Sequence, residues 1–171
     1  MMSVRALERS EAETFHELRL RGLRENPEPF ASTYEEDAAL SREAVRDRFP
    51  VEQERFVLGA FDAAGQLAGV VGFSREQRSK LRHWGTVWGM YVVPEARGQG
   101  VGHSLMVELV ERCRRLEGLE QIVLEVATAA EPARRLYASI GFETFGRRRE
   151  AMKSGDEYYD VEYMVLRLAG A

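Results

Sequence analysis

Apolar positions recur at two different spacings along the chain, and the switches between them divide it into elements. Ser3 to Leu7 reads as a short strand. Phe15, Leu18, Leu20 and Leu23 then follow a partly amphipathic helical pattern, with Ser10 predicted as its N-cap and Glu13 completing a capping box. Asn26-Pro27-Glu28-Pro29 breaks that helix. A second helix is predicted from about Ser41, with Ala44, Val45, Arg48 and Phe49 marking its face. Strands dominate the middle: Arg55 to Phe61 and Leu67 to Arg75 form a hairpin about Gly65. Gly85 to Val93 alternates strongly. That alternation places Trp84, Thr86, Trp88, Met90 and Val92 on one face and Val87, Tyr91 and Val93 on the other, and Pro94 ends the run.

A helix begins near Gly100, because Val101, Leu105, Leu109, Cys113 and Leu116 fall on one stripe; Gly118 stops it. Ile122 to Ala127 is short and nearly all apolar, as in a strand of a parallel pair. Pro132 opens a helix through Tyr137 that Gly141 ends, and strands from Glu143 to Lys153 and Tyr158 to Leu168 close the chain. The predicted order is β-α-α-β-β-β-α-β-α-β-β, an α/β class with a mixed sheet. Its centre, residues 85 to 127, is a right-handed crossover. Without repeats or a Pro/Gly/Ser linker, residues 1 to 171 are expected to form one domain.

Composition narrows the function classes. The hydrophobic share of 44% with 30% charged residues is ordinary for a soluble globular protein. A formal net charge of −4 argues against non-specific nucleic-acid binding, and Arg147-Arg148-Arg149 reads as a solvated strand end or loop, with a phosphate contact as the alternative. No apolar run approaches about 18 residues, so no membrane partner is expected, and the N-terminus lacks the layout of a secretory signal. The lone Cys113 agrees with a cytoplasmic location and is expected in the core. Three histidines without a ligand spacing imply no metal.

The segment that carries chemistry is Arg97-Gly98-Gln99-Gly100-Val101-Gly102, between a strand and a helix. Consecutive backbone N–H groups at a helix N-terminus favour a phosphate, glycines admit its oxygens, and Arg97 adds a charged fork. A dinucleotide fingerprint fails because its third glycine would fall at His103, and no G-x-x-x-x-G-K-[ST] exists. What remains is a pyrophosphate cradle of another kind.

Met90-Tyr91-Val92-Val93-Pro94-Glu95-Ala96 leading into that cradle resembles the fourth strand and pyrophosphate loop of the GNAT acetyltransferases. Ala133-Arg134-Arg135-Leu136-Tyr137-Ala138-Ser139-Ile140-Gly141-Phe142 resembles the family's second block, which ends in Leu-Tyr and then Gly-Phe. The resemblance implies acetyl-CoA as co-substrate, with the backbone of Met90, Tyr91 and Val92 pairing to its pantetheine arm. Arg97, Gly98, Gln99, Gly100, Val101 and Gly102, with His103 at the edge, would hold the pyrophosphate. It also implies N-terminal helices that wall an amine site, and a homodimer through late strands. Tyr137 matches the tyrosine that protonates the departing thiolate. One departure stands out: Ala130 occupies the place of a common cofactor-contacting asparagine.

On this reading the reaction is N-acetylation of a small-molecule or peptide amine by direct attack, with a Val92 N–H at the oxyanion and Cys113 uninvolved. A primary amine with a pKa near 10 needs a base or desolvation. Glu125 is the first candidate, since a carboxylate within an apolar strand is costly without a task; Glu35 or Glu36, after the first helix, and a water relay are the alternatives. Trp84, Trp88 and Tyr91 are expected in the core, with an aromatic acceptor pocket as the alternative. The acidic loop Asp156 to Asp160 either attracts a cationic amine or is a hairpin turn. A silent acyl-CoA-binding module and a purely structural protein are the competing functions. The first would bind cofactor without releasing thiol; the second would do neither.

Overall fold

A computed structural model describes residues 1–27 and 30–168. The predicted helix break at 26 to 29 is therefore described only at Asn26 and Pro27; Glu28 and Pro29 lie outside the described residues. The strands are β1 (Ser3–Ala6), β2 (Val51–Glu52), β3 (Arg55–Phe61), β4 (Leu67–Arg75), β5 (Trp84–Val92), β6 (Gln121–Ala127), β7 (Glu143–Ser154) and β8 (Glu157–Arg167). The helices are α1 (Ala12–Glu25), α2 (Tyr34–Ala38), α3 (Arg42–Arg48), α4 (Val101–Arg114) and α5 (Glu131–Ile140). One mixed sheet runs β1-β3-β4-β5-β6-β8-β7, with the short β2 beside β3 and only β5 and β6 parallel.

Three expectations need correction. Ser10 caps nothing: Arg9–Glu11 forms a 3₁₀ turn, Glu11 accepts the Glu8 N–H at 2.8 Å and the fork of Arg5, and α1 starts only at Ala12. The helix α2 is additional; Thr33 caps it by accepting the Glu36 N–H, while the Glu36 carboxylate accepts the Thr33 N–H in return. The strict alternation along β5 is broken by a bulge. Gly72 pairs with Trp88 but Val70 pairs with Tyr91, so β5 carries one extra residue where Gly89 takes φ +65°. The phase shift puts Trp88 and Tyr91 on the same face: Trp88 meets Phe15 of α1 edge-on at 6.4 Å, and Tyr91 lies against Gly22 of α1. Val92 turns instead toward Gly102 of α4.

The core lies on both sides of the sheet. Val101, Leu105, Leu109 and Cys113 of α4 are buried as their stripe predicts, with Leu105 and Val101 against Gly69 of β4. Phe15 of α1 meets Phe49, which follows α3, at 5.4 Å. Burial pushes the Cys113 thiol up to about 12, so it stays a protonated core residue. Trp88, half-buried, donates its indole N–H to Ser74 Oγ at 3.0 Å, in keeping with a core role.

Candidate active site

The parallel ladder between β5 and β6 covers only Trp84 to Thr86 against Gln121 to Val123. Beyond it β6 continues to pair with β8, through Ala127 opposite Val161, while β5 bends at its bulge and follows β4. A wedge opens between the two strands. The Val93 N–H donates to Ala68 O at 2.9 Å, toward the β4 side; successive peptides face opposite ways, so the Val92 N–H points into the wedge.

A cleft of about 340 Å³ lies along this wedge, lined by Met90, Tyr91, Val92, Arg97, Gly98, Gly100, Val101 and Gly102. All eight were singled out from the sequence. Gln99 and His103 stand outside its lining: the Gln99 amide donates to Glu95 O at 3.0 Å, and His103 is exposed on the first turn of α4. Gly98 and Gly100 have φ of +75° and +79°, and a Cβ there would meet nothing within 4 Å, so the space above the loop is open. The first helical bond of α4 is Ser104 N–H to Gly100 O. The N–H groups of Val101, Gly102 and His103 are therefore the free first-turn donors of a 14-residue helix. Gly102 is glycine for a different reason, since a Cβ would sit 3.0 Å from Leu136 Cδ2 of α5. Arg97 folds back along the cleft, with its Nε donating to Val92 O at 3.0 Å and its guanidinium 5.8 Å from the Tyr91 ring. Open, positive-φ glycines beside free donors and an arginine fit the pyrophosphate of an acyl-CoA.

The inner end of the wedge is a slot of about 130 Å³ that brings Tyr137 and Glu125 together with Trp88, Met90 and Ala130. Gly141, with φ +115°, ends α5 and lets the Phe142 N–H return to Tyr137 O at 3.0 Å; Phe142 then meets the Tyr137 ring edge-on at 6.0 Å. The Leu-Tyr and Gly-Phe of the second block are thus one packing unit. Burial pushes the Tyr137 phenol up to about 12, so it stays protonated at any ordinary pH. Glu125 lies on the slot, but the cost expected of a carboxylate in an apolar strand does not arise: it is exposed, because β6 has lost β5 as a neighbour there. Of the other acids, the Glu36 carboxylate is occupied in the α2 cap.

A third cavity, about 600 Å³, adjoins these on the side where the N-terminal helices are expected to wall an amine site, and Glu35 is among its lining residues. Leu23, Arg24, Phe30, Tyr34 and Glu35 form one wall, and Met152, Lys153, Ser154 and Tyr159 of the β7–β8 hairpin the other. A double bulge brings the hairpin over: Arg148 pairs with Val161 but Met152 with Tyr159. Glu150 adopts φ +51° within it, and Asp160 holds it by accepting the Glu150 N–H at 2.9 Å and Arg147 at 2.6 Å. Asp160 is thereby committed to the turn rather than to an amine. Phe30 borders all three cavities. Its ring stands 6.4 Å from Tyr91 and 5.4 Å from the Arg19 guanidinium, and a Cβ at Gly22 would fall 3.1 Å from it. Among the described residues no His/Cys/Asp/Glu group could hold a metal, and no helix is long and apolar enough to cross a membrane.

Comparison with known proteins agrees with this geometry. The profile of the acetyltransferase (GNAT) family matches residues 13–142. An L-methionine sulfoximine/L-methionine sulfone acetyltransferase of Pseudomonas paraeruginosa is 30% identical over 113 residues, 66% of this chain and 64% of that protein. The N-alpha-acetyltransferase RimI of Mycobacterium tuberculosis is 35% identical over 100 residues, 58% of this chain and 60% of that one. The chain thus spans less than two thirds of these curated relatives. A GNAT-family acetyltransferase from Streptococcus pneumoniae shares the fold with a TM-score of 0.85 at 22% identity, covering 98% of this chain and 99% of that one. A phosphinothricin acetyltransferase from Sinorhizobium meliloti, solved with AcCoA, does so at 0.82 and 23%, covering 98% and 88%.

Proposed function

The chain belongs to the acetyltransferase (GNAT) family, and on that footing we propose that it transfers acetyl from acetyl-CoA to the primary amine of a small molecule. The observation that carries this is the wedge: β5 parts from β6 beside a glycine cradle, with a free Val92 N–H inside it and a buried phenol at its inner end. Bound there, acetyl-CoA supplies the activated acyl carbon. The chain's own groups do the rest. The backbone of Met90 and Val92 orients the cofactor arm, and the loop from Arg97 to Gly102, with Gln99 and His103 at its rim, holds the pyrophosphate. The Val92 N–H donates to the oxygen that gains negative charge as the amine attacks the carbonyl carbon. The C–S bond then breaks, and Tyr137 gives its proton to the departing sulfur. The slot that raises the phenol also desolvates the thiolate and raises its proton affinity, which keeps the transfer feasible. The amine's surplus proton leaves through Glu125 to water, a role its exposure suits better than that of a desolvated base, and a proton from water restores the Tyr137 phenol, so the cycle ends with neutral thiol and amide.

Three features support a small acceptor. The third cavity has the volume of a small-molecule site and opens toward the slot at Phe30. Its wall carries Arg24 and Lys153, neither of which has a carboxylate partner among the described residues, together with the hydroxyls of Ser32, Thr33 and Ser154. Relatives named for acetylating methionine sulfoximine and methionine sulfone act on amino acids of this size and polarity. A homodimer through the late strands is part of the same proposal: β7 is an edge strand, and its Phe145 is 61% exposed. Ala130 in place of the family's asparagine favours a second reading, a cofactor-binding module without turnover. Free-thiol release from acetyl-CoA with a panel of amino acids, polyamines and peptide amines separates the two. Amine-dependent thiol release is expected, strongest with compact amino acids; cofactor binding without it would leave the silent module.

A further inference from the structure

Among the described residues Glu162 is one of two buried charged side chains, at 8% exposure on β8, flanked by buried Val161 and Met164. A carboxylate in such a place is costly unless paired and hydrogen-bonded. Arg134 of α5 meets it with a fork, Nε to Oε2 at 3.1 Å and Nη2 to Oε1 at 3.0 Å. The same guanidinium donates from Nη1 to Thr128 O at 3.2 Å, in the turn between β6 and α5. Thr144 of β7 donates its hydroxyl to Glu162 at 3.3 Å. One planar group therefore ties α5 to β8 and to the end of β6, with β7 joined through the carboxylate. Only the carboxylate end of the pair is buried, the Arg134 side chain being 37% exposed, so the pair contributes modestly to stability and its geometry is the more informative feature.

Its position in α5 suggests what it is for. Ala133, Leu136 and Tyr137 line the wedge, whereas Arg134 does not. Ala130 gives the helix no side-chain cap, so its first turn lacks the anchor that a capping residue supplies. Leu136 against Gly102 holds α5 from the α4 side, and Arg134 holds it from the β8 side. We propose that Arg134 and Glu162 are a positioning pair that sets the rotation of α5 and thereby aims the Tyr137 hydroxyl into the slot; this rests on the reading of Tyr137 as the acid. Lysine keeps the charge but cannot reach two carboxylate oxygens and a carbonyl in one plane.

The test is a double-mutant cycle on turnover, with acetyl-CoA affinity and melting temperature recorded for each protein. Arg134→Lys should lower kcat about tenfold with acetyl-CoA Kd changed less than about twofold, and should cost less than about twofold in a Tyr137→Phe background. An equal loss in both backgrounds, or a wild-type kcat in Arg134→Lys, overturns the positioning role. Tyr137→Phe with wild-type turnover overturns the acid reading itself, which separates the two failures. Should Arg134→Lys not fold, Glu162→Gln, which keeps the shape and one acceptor, enters the same cycle with the same expectations.

Discussion

The cleft proposed for the cofactor and the cavity proposed for the acceptor lie side by side, meet at Phe30, and are built in opposite ways. Most of the cleft comes from a continuous stretch, from the Gly89 bulge through Gly98 and Gly100 into α4, and its working groups are backbone N–H donors. The cavity is assembled from side chains of two segments, 23–35 and 151–159, that are remote in sequence. A site made of backbone needs particular residue types at fixed offsets, because glycine takes positive φ at the least cost and leaves a ligand room to approach. A site made of side chains from distant loops has no such grammar, and it is free to change its ligand.

Tyr137→Phe should break the chemistry shared by both regions, lowering kcat about 100- to 1,000-fold with acetyl-CoA Kd nearly unchanged. Phe30→Ala should strike the acceptor side, raising acceptor KM about thirtyfold while acetyl-CoA Kd, by calorimetry, moves less than about threefold. Equal damage to both constants would show that the two regions are not separable at Phe30. Within the cleft, Gly100→Ala strains a φ of +79° although its Cβ meets nothing, so acetyl-CoA affinity should fall about tenfold. Gly102→Ala has only the Leu136 methyl to displace and should cost less than about threefold. Glu125→Gln should lower turnover about threefold, since water can take over from an exposed relay.

The smallest effect concerns pH. The Tyr137 phenol ionises near 10 when unfolded and at about 12 when folded, so the folded state keeps the proton longer. Stability from this source is intact below pH 10 and declines as pH rises from 10 toward 12. Chemical denaturation across that window should show a shallower decline for Tyr137→Phe than for the parent. The raised Cys113 thiol makes both proteins fall from about pH 9 upward.

Legibility in the sequence followed the same division. The strands from Arg55 to Phe61 and Leu67 to Arg75, the buried stripe of α4 and the glycine end of α5 all follow from periodicity and chain punctuation. Alternation alone misplaced Tyr91, because the bulge at Gly89 is decided by pairing with β4 rather than by any local pattern. The apolar neighbours of Glu125 imply a costly carboxylate, yet its exposure depends on where β5 departs. Pro132, Ala133, Leu136 and Tyr137 share a helical face, so the α5 wall of the cleft was within reach of spacing. Asn26 and Phe30 carried no such signal, since only the tertiary arrangement brings them to the cleft.

The most direct test of the central claim is thermal melting of the protein with acetyl-CoA, CoA and NAD in parallel. A ligand at 100 times its Kd adds about 2.7 kcal/mol, a shift of several degrees for a chain of this size. Stabilisation by acetyl-CoA and CoA but not by NAD is the predicted result. Unshifted melting with both CoA species would contradict the account and leave the loop from Arg97 to Gly102 a turn without a ligand.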